Sequence, residues 1–142
     1  FQILCESKLL PGTLLHNNNQ KFICKNTYIK ADNNASIINQ SLSLNEALKI
    51  PIAHAEGRYF ATEEMLTEMN QNQQIIFRYC EENGEITAAS NPNGSLENIA
   101  GVCNKNKNVF GMMPHPERAA DTELNNVDGL KIFESMLQAV VS

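Results

Sequence analysis

The apolar residues of this chain fall into short runs, and the length of these runs limits the possible folds more than any other feature. The clearest runs, of five or six residues each, lie at 50–54, 75–80, 99–103 and 109–113. Runs of this length between polar and turn-forming residues are typical of β-strands. All are far shorter than the roughly 20 apolar residues that span a bilayer. The pattern therefore predicts a sheet-based globular domain.

Two helices are predicted from apolar residues at helical spacing. The first begins after the N-cap Thr62, and we expect its apolar stripe, which includes Met69, to face the core. The second follows Asp128, which we expect to cap it, and its stripe should also face the core. That stripe consists of Leu130, Phe133, Leu137 and Val140. Strands mixed with helices predict the α/β class, in a single domain over residues 1–142.

Charge and cysteine usage exclude several classes of function. The net charge is −5, whereas a nucleic-acid-binding domain needs a basic patch, so no nucleic-acid partner is expected. The four cysteines form no C-x-x-C motif, and the start of the chain has no basic leader, so we expect buried thiols and a cytoplasmic protein. The three histidines are dispersed, and no metal site is expected.

One short segment has the residues of an acid–base site. In Gly-Met-Met-Pro-His-Pro-Glu-Arg, residues 111–118, His115 follows a predicted strand and Glu117 lies two residues further on. Pro114 and Pro116 favour an extended backbone, which points both side chains to the same side. The carboxylate can then accept one ring N–H and leave the other nitrogen free as a base. His115 and Glu117 are therefore candidates for two members of a nucleophile–His–acid triad.

Three further segments extend this observation into a family resemblance. Residues 111–118 resemble the catalytic His/Glu segment of class I (triad) glutamine amidotransferases. Residues 53–59, Ala-His-Ala-Glu-Gly-Arg-Tyr, and 91–96, Asn-Pro-Asn-Gly-Ser-Leu, resemble segments of the branch that forms the glutaminase subunit of phosphoribosylformylglycinamidine synthase. Residues 1–4, Phe-Gln-Ile-Leu, are similar to the residues that follow the nucleophile elbow Gly-x-Cys-Asn-Gly in that branch. The resemblance thus covers nearly the whole chain.

The resemblance implies a fold and a position within it. The fold is a doubly wound, largely parallel sheet of the flavodoxin-like amidotransferase type, with a small antiparallel hairpin near residues 99–113. The chain would be the C-terminal portion of one such domain. Its N-terminal strands and nucleophile elbow would be missing, with the nucleophilic cysteine three residues before Phe1.

The resemblance also implies a reaction. A cysteine thiolate attacks the side-chain amide of glutamine, and His115 and Glu117 complete the triad. Gln2 helps to hold the glutamine, and His54, Glu56 and Arg58 contact glutamine or the synthetase partner. The ammonia passes to a synthetase subunit that converts formylglycinamide ribonucleotide to its amidine in purine biosynthesis. A small accessory subunit is a further expected partner. No cofactor is expected on this chain, because ATP and Mg²⁺ belong to the synthetase.

Two alternatives remain open from the sequence. The chain as given lacks the family cysteine, so it is expected to be inactive. In the first alternative it is a non-catalytic binding module for the synthetase subunit. Alternatively it is a different thiol hydrolase in which Cys5 serves His115, although no strand-to-helix turn precedes Cys5. One departure from the family pattern is Ala55, which stands where the family has Gly and would strain the loop if that position needs a special backbone angle.

Overall fold

The computed structural model describes residues 1–141, which form three α-helices, seven strands and three short 3₁₀ turns. The helices are α1 (Gln2–Glu6), α2 (Glu63–Gln71) and α3 (Leu130–Val141). The strands are β1 (Thr13–Leu15), β2 (Ile23–Ala31), β3 (Leu48–His54), β4 (Arg58–Phe60), β5 (Ile75–Cys80), β6 (Ile99–Cys103) and β7 (Phe110–Met112). The 3₁₀ turns cover Leu96–Asn98, Pro116–Ala119 and Thr122–Leu124.

The strands form a five-stranded sheet in the order β3-β2-β5-β6-β7 and a two-stranded sheet of β1 and β4. Every pairing between these strands is antiparallel. β3 is an edge strand, a position that suits Pro51, which has no N–H to donate to a second neighbour. The predicted hairpin of residues 99–113 is present as β6 and β7, which lie within the larger sheet.

The α/β class is confirmed, but a largely parallel sheet is not found in residues 1–141. The connections explain the difference. β6 and β7 are joined by a short turn, which only an antiparallel pair permits, because parallel neighbours need a crossover of about a dozen residues or more. The longer link between β2 and β3 contains no helix. α2 lies between β4 and β5, which belong to different sheets, so it links no parallel pair.

The centre of the five-stranded sheet is buried on both faces. All residues of β5 and β6 are buried. Their side chains divide between two hydrophobic clusters: Ile76 and Ala100 belong to one, and Ile75 and Ile99 to the other. Because neighbouring side chains of a strand point to opposite faces, the two clusters lie on opposite sides of the sheet. One contains Ile132 of α3, and the other contains residues of α1 and α2.

The predicted packing face is confirmed for α2 at Met69 but is wrong for α3. α2 begins after Thr62, whose side chain accepts the N–H of Met65, and Met69 is buried as expected. For α3 the predicted core stripe is wrong: Leu137 is 64% exposed and Val140 is 82% exposed. The buried face instead carries Ile132 and Ser135.

Ser135 explains the choice of face on α3. Its hydroxyl donates to Ile37 O (3.1 Å) and accepts the N–H of Ser41 (3.2 Å), which ties the helix to the loop between β2 and β3. Asp128 was expected to cap α3, which begins at Leu130, but its carboxylate instead accepts the N–H of Lys49 (2.8 Å) and so connects the start of α3 to β3. Within residues 1–141, no helix is long and apolar enough to cross a membrane.

Candidate active site

A cleft of about 420 Å³ lies where the start of α1, the end of β3 and the end of β7 meet. Four of its lining residues are polar and were singled out in the sequence: Gln2, His54, Glu56 and His115. The remainder of the lining is apolar and consists of Phe1, Leu14, Ala55, Met112 and Met113. An apolar cleft with a few convergent polar groups is the usual form of a small-molecule site.

The backbone around His115 is held by the edge of the sheet. Met113 N donates to Ala100 O (3.0 Å), which continues the β6–β7 pairing beyond the end of β7. His115 N donates to Pro51 O (2.8 Å) of edge strand β3. The segment that leads from edge strand β7 to His115 is thus also hydrogen-bonded to the other edge strand, β3. The side chain of His115 lines the cleft from this fixed backbone.

Glu117 contacts His115 as the sequence predicted, although by a different local structure. The distance from His115 Nδ1 to Glu117 Oε1 is 3.1 Å. Pro116 starts a 3₁₀ turn instead of an extended segment, and this turn carries Glu117 back towards the ring. The side chain of His115 is 32% exposed and that of Glu117 is 59% exposed. When Nδ1–H donates to the carboxylate, the basic lone pair of the ring is on Nε2.

A glycine packs against the turn that carries Glu117. Gly129 N donates to Ala119 O (2.7 Å). A Cβ atom at position 129 would lie 2.1 Å from Pro116 O and 2.9 Å from Ala119 O, both of which are backbone atoms. The absence of a side chain at Gly129 therefore allows the start of α3 to lie directly on the turn.

The structure brings three of the four predicted binding residues into the cleft. Gln2, His54 and Glu56 line it, whereas Arg58 lies at a separate cavity with His16. Within the chain, Gln2 Nε2 donates to Glu6 Oε1 (3.0 Å), and Glu56 Oε1 pairs with Nε2 of His16 (3.2 Å). Both are exposed contacts that a ligand can replace at small cost.

Arg58 and Ala55 differ from what their motif implied. Arg58 Nη1 donates to Asn18 Oδ1 (2.7 Å), and its Nε is buried without a partner among the described residues. Ala55 has a negative φ, so this position needs no glycine-specific backbone angle and the expected strain is absent. The carbonyl of Ala55 accepts the N–H of Asn17 (2.9 Å) in an ordinary loop contact.

His54 differs from His115 in its surroundings. It is buried, with only 6% of its surface exposed. Burial lowers the pKa of His54 below its ordinary value, and the positive form of His115 lowers it further. Its ring contacts two asparagine side chains, Asn17 and Asn93, neither of which was a candidate site residue from the sequence. Asn93 belongs to the motif at 91–96, which was noted only as a resemblance, whereas Asn17 lies in an Asn-rich turn and has no distinctive sequence signal.

The Cys5 thiol is poorly suited to act as a nucleophile. It lines a different cavity from the one that holds His115, and its Sγ donates to Pro11 O (3.8 Å). Burial raises the pKa of Cys5 to about 11, so the reactive thiolate is scarce at neutral pH. In residues 1–141, no three His, Cys, Asp or Glu side chains are grouped so that they could hold a metal ion.

Comparison with known proteins identifies the family. Residues 1–138 match the family described as the CobB/CobQ-like glutamine amidotransferase domain. The chain is 53% identical over 137 residues to the phosphoribosylformylglycinamidine synthase subunit PurQ of Aquifex aeolicus, covering 96% of this chain and 60% of the relative. It is 50% identical over 140 residues to the subunit of the same name from Koribacter versatilis, covering 99% of this chain and 61% of the relative.

A solved structure shows the same fold. The structure of PurLQS from Thermotoga maritima matches with a TM-score of 0.80 and 39% sequence identity, covering 98% of this chain and 57% of the matched chain. The 142 residues therefore span about three-fifths of the length of the proteins they resemble.

Proposed function

The chain belongs to the family of CobB/CobQ-like glutamine amidotransferase domains, and on that premise we propose that it provides the general base of a glutaminase. The observation that carries the proposal is the contact between His115 Nδ1 and Glu117 Oε1 at 3.1 Å, at a cleft that also holds Gln2. A base oriented by a carboxylate beside a substrate-sized cavity is the arrangement that acyl transfer through a thiol requires.

The roles of the two residues follow from their geometry. Glu117 accepts the Nδ1–H of His115, which fixes the tautomer and favours the imidazolium that forms during the reaction. Nε2 then takes the thiol proton, delivers a proton to the departing ammonia and later activates water against the thioester. Glu117 is more than half exposed, so it contributes more through orientation than through strong charge stabilisation.

The nucleophile in this proposal is a cysteine three residues before the position of Phe1, outside the 142 residues. Phe1 and Gln2 line the same cleft as His115, which supports a nucleophile at this end of the cleft. The chain would then be the C-terminal portion of a longer amidotransferase domain, and the parallel strands expected of the flavodoxin-like fold would belong to the rest of it. Without that cysteine the 142 residues alone are expected to be inactive.

Substrate contacts are assigned to the polar groups of the cleft. Gln2 and Glu56 can contact the polar ends of glutamine, because their contacts within the chain, with Glu6 and His16, are exposed and can be exchanged. His54 forms part of the wall. Arg58 lies at the neighbouring cavity, so we assign it to contact with a partner subunit and not with glutamine.

The ammonia would be used by an ATP- and Mg²⁺-dependent synthetase subunit that converts formylglycinamide ribonucleotide to formylglycinamidine ribonucleotide. The resemblance to phosphoribosylformylglycinamidine synthase subunits and to PurLQS supports this partner and a small accessory subunit. No residue of this chain is assigned to ATP or Mg²⁺. We place the reaction in the cytoplasm, in purine biosynthesis.

The test is glutamine hydrolysis by the longer protein that the proposal requires, assembled with its synthetase. His115→Ala should lower the rate by about 10²- to 10⁴-fold, the usual contribution of a general acid–base. Glu117→Gln should also lower the rate, but by less, because the glutamine oxygen still accepts the Nδ1–H. Glu123→Gln makes the same substitution at an exposed site in the next turn and should leave the rate unchanged.

Three results would redirect the proposal. Unchanged hydrolysis in His115→Ala contradicts the role of the base. A glutamine-like electrophile that labels Cys5 would instead support the other thiol hydrolase, whereas labelling of the elbow cysteine alone supports the proposal. The non-catalytic binding module would be supported by two findings together: the 142-residue chain binds the synthetase, and the longer protein does not hydrolyse glutamine.

A further inference from the structure

The side chain of His54 lies between two buried asparagines, and their orientations decide which ring nitrogen carries the proton. Asn17 Oδ1 lies 3.2 Å from His54 Nδ1, and Asn93 Nδ2 lies 3.3 Å from His54 Nε2. Both asparagines are at most 2% exposed. Three loops meet at this clamp: the loop after β1, the turn between β3 and β4, and the loop before the first 3₁₀ turn.

The amide of Asn17 has only one orientation that satisfies its neighbours. Its Nδ2 donates to two carbonyl groups, Lys21 O (2.8 Å) and His54 O (2.9 Å). Its Oδ1 accepts the N–H of Gly57 (3.1 Å). A flipped amide would place an oxygen against two carbonyl oxygens. The atom that faces His54 Nδ1 is therefore an acceptor.

The amide of Asn93 is fixed in the same way. Its Nδ2 donates to Gly57 O (2.9 Å), and its Oδ1 accepts the N–H of Ser95 (3.1 Å). The same Nδ2 is 3.5 Å from the hydroxyl of Tyr79. The atom that faces His54 Nε2 is therefore a donor.

We propose that Asn17 and Asn93 are positioning residues that lock His54 as the neutral Nδ1–H tautomer and thereby fix the wall of the cleft that holds His115. Nδ1 must donate, because Asn17 Oδ1 accepts only, and Nε2 must accept, because Asn93 Nδ2 donates only. A proton on Nε2 would point at an N–H donor. The part of this inference that concerns catalysis rests on the proposed glutaminase function, and the part that concerns the tautomer does not.

The imidazole ring of His54 also packs against the turn between β3 and β4. A Cβ atom at Gly57 would lie 2.3 Å from His54 Cε1, so the turn passes directly over the imidazole. Ala55 and Glu56, which line the cleft, belong to this same turn. Displacement of the ring would therefore move part of the cleft wall.

A neutral ring suits the reaction proposed at His115. The ionisable groups near His54 are His115, from the segment after β7, and Glu56, from the adjoining turn, which line the cleft with it, and Tyr79 of β5, which contacts Asn93. Tyr79 is fully buried, and burial raises its pKa, so its hydroxyl stays neutral. A positive charge on His54 would oppose the protonated form of His115, which the general-base step requires.

The first test is the nitrogen NMR spectrum of the whole protein with ¹⁵N-labelled histidine, assigned by the signals that His54→Gln removes. We expect Nδ1 protonated and Nε2 unprotonated, unchanged between about pH 5.5 and pH 8. An Nε2–H tautomer, or titration of His54 at an ordinary midpoint, would overturn the proposal. This result does not depend on glutaminase activity.

Replacement of the Asn93 amide by a carboxylate gives a second spectroscopic test. Asn93→Asp replaces the donor with a carboxylate, so His54 Nε2 should become protonated. Asn106→Asp, in the exposed turn between β6 and β7, is the matched control and should leave the His54 signals unchanged. Retention of an unprotonated Nε2 in Asn93→Asp would contradict the assigned amide orientation.

Activity tests the positioning role. His54→Gln keeps a neutral polar group that can bond to one of the asparagines, whereas His54→Phe fills the space without a polar atom. In the complex that hydrolyses glutamine, the Phe variant should be slower than the Gln variant by at least about tenfold, since small misplacements in a site are costly. A Phe variant as active as the Gln variant would show that the ring only fills space. If the wild type hydrolyses no glutamine, the proposed function fails, while the tautomer result stands on its own.

Discussion

At the scale of single residues, the site depends on a glycine that lies outside it. Gly129 lies directly on the turn that carries Glu117, and that turn sets the 3.1 Å contact with His115. A side chain at position 129 would meet two backbone carbonyls, which cannot rotate away as a flexible side chain can. The position of the Glu117 carboxylate is therefore controlled by packing at the start of α3.

We predict that Gly129→Ala lowers the free energy of unfolding by about 1–3 kcal/mol, the usual cost of inserting atoms into a filled space. Urea unfolding of the purified chain measures this change. Glu123→Ala is the control, because its side chain is exposed, and it should change the free energy by no more than about 0.5 kcal/mol. Equal stability of the two variants would show that the turn moves without cost.

At the scale of the elements, α3 shows how a helix chooses between two faces. Leu130, Phe133, Leu137 and Val140 form a regular apolar stripe in the sequence, yet three of them are exposed and only Phe133 is half-buried. The face that packs contains Ile132, which is fully buried, and Ser135, whose hydroxyl bonds to the loop between β2 and β3. Because the buried face contains a serine, it does not appear as a continuous apolar stripe in the sequence.

We predict that Ile132→Ala lowers the free energy of unfolding by about 2–5 kcal/mol, since it leaves a cavity beneath α3. Leu137→Ala removes a side chain of similar size from the exposed face and should cost no more than about 0.5 kcal/mol. The pair differs only in which face of one helix is truncated, and denaturant unfolding compares the two directly. A larger loss in Leu137→Ala would mean that the apolar stripe is the packing face after all.

At the scale of the whole molecule, the buried His54 links stability to pH. Its pKa in the folded chain is lowered, chiefly by burial, so between that value and the ordinary one the unfolded chain binds more protons than the folded chain. Stability from this group is complete above the ordinary pKa of 6.5 and is lost as the pH falls through the folded pKa.

We therefore predict that the free energy of unfolding falls between pH 7 and about pH 5.5, and that part of this fall is absent in His54→Gln. The measurement is the difference between the two pH values for each variant, so that any constant destabilisation by the substitution cancels. His16→Gln is the control, because His16 is exposed, and it should retain the full acid loss. An unchanged pH difference in His54→Gln would mean that His54 titrates alike in both states.

The sequence by itself determined the local features of this protein. The strands at 75–80 and 99–103, the N-cap at Thr62 and the pairing of His115 with Glu117 all follow from residues close together in the chain. Apolar runs, caps and prolines act on their immediate neighbours, so their effects can be predicted without knowledge of distant contacts.

Only the tertiary structure decided the antiparallel sheet order, the packing face of α3 and the clamp around His54. Each depends on groups far apart in sequence: Ser135 meets Ile37, and Asn17 and Asn93 meet across one imidazole. A buried polar group is stable only where a partner is present, and that partner can come from any part of the chain. Such contacts leave no periodic signal, which is why the clamp around His54 was found only in the structure, whereas the contact between His115 and Glu117 was predicted from the sequence.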